Sequence, residues 1–418
     1  MFGKTLLIAK LIGAIVAMIW HESGHAFRAA LVRRKAQWSG TTAASERKRN
    51  IVIVGASFAG YHAARCISQL LPPKSPYRVV VIEPHSHFHF TWLLPRFCVV
   101  KGHEEKAFIP YGGYVADTPD GSIHWIEDKA ASISRKAVSL EGTGEDMPYD
   151  FLVIATGSAV KDGLPSRVNA SNRNEGMEGM RAMQDSIGTA SAILVIGAGA
   201  AGVEVATDIK GSYPHKKVKL VHSRSAVMHR FGKILQDAAQ EGLDRLGVET
   251  ILQDRVVKQD AEAGRVTLMS GRVILCDFVI DCTGQKPASD LAAVLSPKII
   301  SQTGHILVKN TLQVADEELL NVYACGDVVE TKLPNPNARC AMRQAAVVAE
   351  NILREGRDQP PTEEYNADWT DGVIKLTLGL DRSVSYIGDG VSDLMFGSNE
   401  KDITLMAAQA WKHMGQKP

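Results

Sequence analysis

The chain has 418 residues, 45% hydrophobic and 22% charged, which is too long for one hydrophobic core and ordinary for a globular protein of two or three domains. Its 47 Lys and Arg against 46 Asp and Glu leave a net charge of +1, so there is no general electrostatic reason to bind nucleic acid. Six scattered cysteines without a C-x-x-C argue against a secreted disulfide scaffold and point to a reducing compartment.

Thr5 to Trp20, TLLIAKLIGAIVAMIW, is apolar except for Lys10 and a little shorter than the roughly 20 residues of a full membrane span. Basic residues follow at Arg28, Arg33, Arg34, Lys35, Arg47, Lys48 and Arg49. By the positive-inside rule they hold the following domain on the cytosolic side of a membrane anchor. Ala26 to Ser45 is rich in Arg, Ala, Ser and Thr and has no acid, so a mitochondrial targeting sequence is the alternative. His21-Glu22-Ser23-Gly24-His25 spells H-E-x-x-H, which on a helix could hold zinc. Gly24 weakens that helix and no third ligand follows, so no metal is expected.

Ile51-Val52-Ile53-Val54 runs into the turn Gly55-Ala56-Ser57-Phe58-Ala59-Gly60 and then into a helical pattern through Leu70. A strand, a tight turn and a helix N-terminus make an anion site, because free backbone N–H groups and the helix dipole both favour a pyrophosphate. Gly55 makes the turn and Gly60 lets helix and strand approach; Ser57 stands where G-x-G-x-x-G has its second glycine. The next strand, Tyr77 to Ile82, ends in Glu83, placed to accept hydrogen bonds from an adenosine ribose. Three alternating histidines, His85, His87 and His89, have no acidic or cysteine cluster beside them and are read as part of a loop under a flavin ring, with Arg96 answering flavin or phosphate. Gly121 to Tyr149 reads as a small antiparallel β-layer, and Phe151 to Ile154 as a buried parallel strand delivering Ala155-Thr156-Gly157 to a sheet crevice.

The pattern then repeats. Ala192 to Ile196 leads into Gly197-Ala198-Gly199-Ala200-Ala201-Gly202, now with all three glycines, then a helix and the strand Lys217 to Val221. That strand ends in His222-Ser223-Arg224 rather than an acid, and Arg224 tilts the reading towards the extra phosphate of NADP. Asp237 to Leu246 reads as a helix, and Phe278 to Gly284 echoes the strand-Thr-Gly motif. Two such units in one chain suit one resident flavin and one mobile nicotinamide. A β-region, Gly304 to Val314, precedes Asn321 to Asp327, where Gly326-Asp327 can present a carboxylate to flavin hydroxyls. A helix over Arg339 to Leu353 and a weakly alternating, β-rich tail from Leu376 to Trp411 close the chain.

From about Asn50 to the C-terminus these motifs resemble the pyridine-nucleotide-dependent flavin oxidoreductases. Within them they are most similar to the apoptosis-inducing-factor-like mitochondrion-associated inducers of death, also called ferroptosis suppressor proteins. The carrying residues are Gly55 to Gly60, Phe88 through Arg96, Ala155-Thr156-Gly157, Gly197 to Gly202 with Glu204, Asn321 through Asp327, and Ala410 to Gln416. The resemblance implies an α/β fold of two Rossmann-like, glutathione-reductase-type domains, the second inserted in the first, plus a small α+β C-terminal module. The corresponding division is 1–45 anchor or targeting segment, 46–165 and 286–358 FAD domain, 166–285 NAD(P)H domain, and 359–418 C-terminal module. It implies FAD and NAD(P)H as cofactors and a quinone-like acceptor at a membrane. Gly55, Ala56, Ser57, Phe58, Ala59 and Gly60 would surround the FAD pyrophosphate. Glu83, Arg96, His124, Thr156, Gly157, Gly326 and Asp327 would complete the flavin site, His124 through its backbone at the adenine. Gly197, Gly199, Gly202, Glu204 and Arg224 would hold the nicotinamide nucleotide, with Glu204 near the nicotinamide and Lys401 near the flavin and quinone. Met1-Phe2 departs from the Met-Gly of a myristoylated relative. Two other functions stay open: a flavin monooxygenase or oxidase of small-molecule biosynthesis, and a non-enzymatic death or signalling effector. The oligomeric state is not legible.

Overall fold

The computed structural model describes residues 2–38, 48–72, 75–159, 163–331 and 336–418. Strands and helices are numbered in chain order. Isoleucine and valine fill Arg49–Val54 (β1), which is buried on both faces beyond Arg49, as a central parallel strand should be. β1 is the middle of a five-stranded parallel sheet in the order β19 (Val322–Ala324), β9 (Phe151–Ile154), β1, β2 (Tyr77–Ile82), β5 (Ile123–Ile126). A second parallel sheet has the order β13 (Glu249–Ile251), β12 (Lys217–Val221), β11 (Ala192–Ile196), β17 (Phe278–Asp281). All of its strands lie in the chain between β9 and β19. The short β10 (Ser158–Ala159) and β18 (Lys286–Pro287) pair where the chain leaves the first sheet and returns.

Helix α2 (Phe58–Leu70) packs on α8 (Ala338–Glu355) under the first sheet. Ala63, Ala64, Ala345 and Ala349 let the two approach, while Ile67, Val348 and Ile352 fill the seam. Asn337 caps α8 by accepting the Arg339 and Cys340 N–H groups at 3.0 and 3.3 Å. Against the second sheet lie α5 (Ala200–Ser212) and α6 (Lys233–Leu246), whose buried faces carry Val203, Ala206, Leu235 and Leu243. Further helices are α3 (Leu94–Phe97), α4 (Arg173–Thr189) and α7 (Asp290–Leu295).

Four sequence expectations change. Ile123–Ile126 is not part of an antiparallel layer; it is the edge of the first parallel sheet, where an only partly covered strand alternates as an antiparallel one does. The antiparallel layer is β6 (Ala130–Ile133), β7 (Ala137–Leu140) and β8 (Asp146–Pro148), matched in the second half by β14 (Val256–Asp260), β15 (Arg265–Leu268) and β16 (Val273–Leu275). Gly304 to Val314 makes isolated bridges rather than a strand. The histidine run forms β3 (His87–His89), paired with β4 (Phe108–Pro110). The tail is an antiparallel sheet of β20 (Ile374–Thr377), β21 (Arg382–Gly388) and β22 (Asp393–Asn399), but it ends in a helix, α9 (Ala407–His413). Trp411 anchors α9 by donating Nε1–H to the Lys106 carbonyl at 2.9 Å.

The N-terminal segment is one helix, α1 (Phe2–Trp38), about 55 Å long at 1.5 Å per residue. It runs through Gly24, whose cost of about 1 kcal/mol is small beside a helix of 37 residues. Leu7 is buried against Ile387 and Leu394, and Lys10 pairs with Asp389 at 2.6 Å. Near the other end Ala29 joins the first core and Arg28 pairs with Glu350 at 2.9 Å. Between these contacts Ile12, Ile15, Val16, Met18, Ile19 and Trp20 are exposed. By length and composition α1 could cross a membrane. The side chains of His21 and Glu22, and residues 39–47 with Ser45 and Arg47, lie outside the described residues.

The α2–α8 seam is expected to dominate the first core. Ile67→Ala, at a fully buried position, should cost about 2–5 kcal/mol, read as a lowered urea midpoint with an unchanged slope.

Candidate functional site

The two glycine turns are near copies. Gly55 and Gly197 have φ of +96° and +98°, where a side chain is strained. A Cβ on Gly60 would sit 1.8 Å from the Gly55 oxygen, and one on Gly202 would sit 1.8 Å from the Gly197 oxygen. Those positions are closed to any other residue. The middle position differs. Gly199, the N-cap of α5, has nothing within 4 Å of where its Cβ would stand. Ser57, the N-cap of α2, has φ −80° and ψ −154° against −75° and −174° for Gly199, so the serine takes the same extended backbone without strain. Ser57 is exposed and its hydroxyl makes no capping bond. Both helix N-termini thus open onto free space with uncommitted N–H groups, a cradle that fits a pyrophosphate.

The residue after the second strand of each unit separates the two sites. Glu83 is buried; Oε2 accepts the Ala56 N–H at 2.5 Å and Oε1 accepts the His85 N–H at 2.9 Å and contacts His85 Nδ1 at 2.5 Å. In the second unit His222 takes that place, with Nδ1 accepting the Ala198 N–H at 3.2 Å. Its Nε2 lies 3.2 Å from Nδ1 of His229. Burial pushes His222 down to about 4, with His229 and Arg224 adding repulsion. Arg224 is exposed beside it.

The strand ends converge on the first turn. A Cβ on Gly55 would lie 2.5 Å from the Ala155 oxygen. Thr156 donates its hydroxyl to the Ala288 carbonyl at 2.6 Å, tying the end of β9 to the returning chain. Gly157 has φ +69° and open space around its Cβ position. Gly326, at φ +86°, donates its N–H to Gln344 Oε1 at 2.7 Å and faces Ala59. Asp327 is ion-paired with Arg167 at 3.0 Å, a partner 160 residues away. His124 sits exposed on the edge strand β5, opposite Val80.

Arg96, Glu204 and Asp208 form a buried junction. Arg96 Nε donates to Asp208 Oδ2 at 2.7 Å and Nη2 to the Gly379 carbonyl at 3.0 Å. Two of its three guanidinium nitrogens are therefore committed to protein rather than to a ligand. Nη1 is buried and, among the described residues, unpartnered, as is Asp208 Oδ1. Glu204, one turn earlier on α5, accepts the Thr377 N–H and hydroxyl at 3.1 and 3.2 Å. Burial raises Glu204 to about 7, with Asp208 adding to the rise while Thr377 and Arg96 oppose it. Burial likewise raises Asp208 to about 6 against the pull of Arg96. Lys401 is exposed just beyond β22 and is not part of this junction.

Residues 49–347 match the family model of the pyridine nucleotide-disulphide oxidoreductases, well over half of the chain. The chain belongs to this family. Its cofactors are FAD and NAD(P)H. This oxidoreductase is 32% identical to Fe-regulated protein 8 of Mycosarcoma maydis, over 81% of this chain and 89% of the relative. It is 28% identical to ferroptosis suppressor protein 1 of Homo sapiens, over 88% of this chain and 96% of the relative. Among solved structures, the sulfide:quinone oxidoreductase of Aquifex aeolicus superposes with a TM-score of 0.69 at 17% identity, covering 88% of this chain and 92% of that one.

Among the described residues of this oxidoreductase all six cysteines are free, and burial pushes Cys66 and Cys325 up to about 12, so they are thiols at neutral pH. No three His, Cys, Asp or Glu side chains among the described residues come together as a metal site. Sequence reasoning missed His222, His229, Arg167, Asp208 and Thr377. His222 could have been found by counting, since it occupies the register position of Glu83. Arg167, Asp208 and Thr377 lie far from their partners in sequence, whereas His229 is seven residues from His222.

Gly60→Val should give protein that cannot hold FAD, read as loss of the 450 nm region absorbance expected of bound flavin, whereas Ser57→Gly should retain it. Full flavin content in Ser57→Trp would sink this placement of the pyrophosphate. Glu204 also has a pH consequence. Because its folded value is raised, the native state keeps a proton that the unfolded chain releases between about pH 4.5 and 7, so Glu204 removes stability as pH rises through that window. Urea denaturation across pH 4.5–7 should show this fall, and Glu204→Gln should flatten it.

Proposed function

We propose that this oxidoreductase passes reducing equivalents from NAD(P)H through FAD to a quinone-like acceptor at a membrane. The observation carrying the reading is the pair of glycine turns whose acceptors differ: a carboxylate, Glu83, at the first and imidazole, His222, at the second. An acid suits the ribose hydroxyls of a resident FAD. The relationship to ferroptosis suppressor protein 1 and the fold shared with a sulfide:quinone oxidoreductase support the quinone as acceptor. In this reading residues 46–165 and 286–358 carry FAD, 166–285 carry NAD(P)H, and 359–418 cover the junction.

Bound FAD supplies the hydride acceptor and the electron store. The protein supplies position and charge. The uncommitted backbone N–H groups at the starts of α2 and α5, after Ser57 and Gly199, would each hold a pyrophosphate, those of Gly55, Ala56, Gly197 and Ala198 being bonded within the protein. Glu83 would hold a ribose, Thr156 and Gly157 would border the ring, and Asp327, ion-paired with Arg167, would anchor the ribitol beside Gly326. The backbone of His124 borders the adenine. Arg96 would have only Nη1 left for the flavin, its Nε and Nη2 fixing α3 against α5 and the C-terminal sheet. Glu204 orients the nicotinamide end, and Lys401 serves the acceptor side. α1 holds the catalytic body to the membrane on its cytosolic face.

Anaerobic stopped-flow mixing with NADH or NADPH should bleach the flavin, and a quinone panel should restore its colour. Bleaching without reoxidation by any quinone, or a hydroxylated product formed with oxygen, would overturn the quinone reading.

A further inference from the structure

Helix α1 is held to the body along one side. Leu7 and Leu11 pack with Ile387 and Leu394 of the C-terminal sheet, and Ala29 sits in the first core. Lys10 and Arg28, about 27 Å apart along the helix at 1.5 Å per residue, pair with Asp389 and Glu350. On the opposite side Ile8, Ile12, Val16, Ile19, Phe27 and Leu31 recur at helical spacing and are exposed. Attachment near both ends lays the helix along the body, so a membrane meets this stripe with α1 in the plane of one leaflet.

Leu31, the last residue of the stripe, also lines a cavity of about 230 Å³ between α1, α2 and α8. Val32 and the buried Leu70 and Leu353 complete its apolar wall, and Arg28, Glu350 and Arg357 are its polar groups. Arg28 and Glu350 neutralise each other at 2.9 Å. Arg357, exposed just past the end of α8, has no side-chain partner among the described residues, so the cavity keeps one uncommitted guanidinium. The space is small beside the ~300–1,000 Å³ of a typical ligand pocket, which suits a head group rather than a whole lipid. Apolar walls that run into the membrane-facing stripe, with a cation at the exposed side, follow the order of groups in an anionic phospholipid. A guanidinium meets phosphate oxygens with two parallel N–H donors.

We propose that the cavity between α1, α2 and α8 binds the head group of an anionic phospholipid, with Arg357 on the phosphate, Arg28 beside it, and the glycerol and upper acyl chain against Leu31 and Val32. This rests on the reading that α1 meets a membrane. The stripe supplies most of the affinity; the cavity sets which lipid surface the protein prefers.

Flotation of the full-length, FAD-loaded protein with lipid vesicles tests it without any redox step. The wild type should bind phosphatidylcholine vesicles containing phosphatidylglycerol about fivefold more tightly than pure phosphatidylcholine vesicles, the size expected of one basic side chain at an anionic surface. Val32→Trp, which fills the cavity and leaves every charge in place, should abolish that ratio while binding to phosphatidylcholine is retained. Arg357→Ala should do the same, and Arg357→Lys, which keeps the charge without the guanidinium fork, should restore the ratio only in part. Unchanged flavin absorbance in each variant shows an intact body. Equal binding of the wild type to the two vesicles, a ratio kept in Val32→Trp, or one fully restored by Arg357→Lys would overturn the head-group site while leaving the membrane reading of α1 standing. Binding to neither vesicle would overturn that reading and the site with it.

Discussion

The buried pair of Arg96 and Asp208 constrains the rest of the molecule. Arg96 belongs to α3, in the chain between β2 and β5 of the first sheet; Asp208 belongs to α5 on the second sheet; the Gly379 carbonyl that Arg96 also binds belongs to the β20–β21 connection of the C-terminal sheet. Three parts of the chain that meet nowhere in sequence are tied at one guanidinium. The pair is not a large source of net stability, because desolvating both charges costs several kcal/mol per ion and the attraction returns about that much. Its effect is positional. Any arrangement that separates α3 from α5 strands an arginine in apolar surroundings, and arginine cannot shed its proton. Glu204 lies one turn away on the same helix and is held by Thr377 of the C-terminal sheet. One turn of α5 therefore fixes the orientation of the second sheet against both neighbours, and the glycine turn at the start of α5 is placed with it.

With that frame set, chemical difference between the two turns comes from very little. The backbone is the same in both, down to a glycine at φ near +97° and a second glycine pressed on its carbonyl. Ser57 in place of a glycine changes nothing in the backbone, because that position is extended and open. A single side chain, Glu83 or His222, occupies the same place beneath the turn, and each satisfies the same backbone N–H. What surrounds that bond distinguishes them: a carboxylate that also accepts from His85 at the first turn, an imidazole whose other nitrogen meets His229 at the second.

The sequence carries such a site unevenly. The turns were legible because their constraint is local: a Cβ on Gly60 meets an oxygen five residues away. Buried parallel strands were legible because Ile51 to Val54 and Leu194 to Ile196 are apolar without alternation. The edge strand Ile123–Ile126 was misread, since exposure on one side gives it an antiparallel pattern. Arg96 was singled out as a ligand-facing cation, yet two of its nitrogens serve Asp208 and Gly379, 112 and 283 positions along the chain. No spacing rule reaches that far, and the same holds for Arg167 and Asp327. In His222-Ser223-Arg224 the arginine drew the reading because its charge is permanent. The histidine's role depends on a backbone N–H that only the folded turn supplies.

Helix α1 turns on a comparison of magnitudes. Its contacts with the body include the ion pairs of Lys10 with Asp389, Arg28 with Glu350 and Arg33 with Asp117, worth about 0–1 kcal/mol each, together with the burial of Leu7 and Ala29. Against these stand Ile12, Ile15, Val16, Met18 and Ile19, exposed over the middle of the helix. Moving such side chains out of water is worth about 1.5–3 kcal/mol apiece when complete. Even half of that over five residues exceeds what the ion pairs contribute. Lys10 is the one charge inside the apolar run, and its Asp389 partner is on the C-terminal sheet. A bilayer that took α1 as a span would have to break that pair and bring Lys10 to the interface, whereas one that took only the outward side could leave it intact. In both cases apolar transfer, rather than the ion pairs, sets the affinity, and the membrane reading predicts binding that is weakly sensitive to salt.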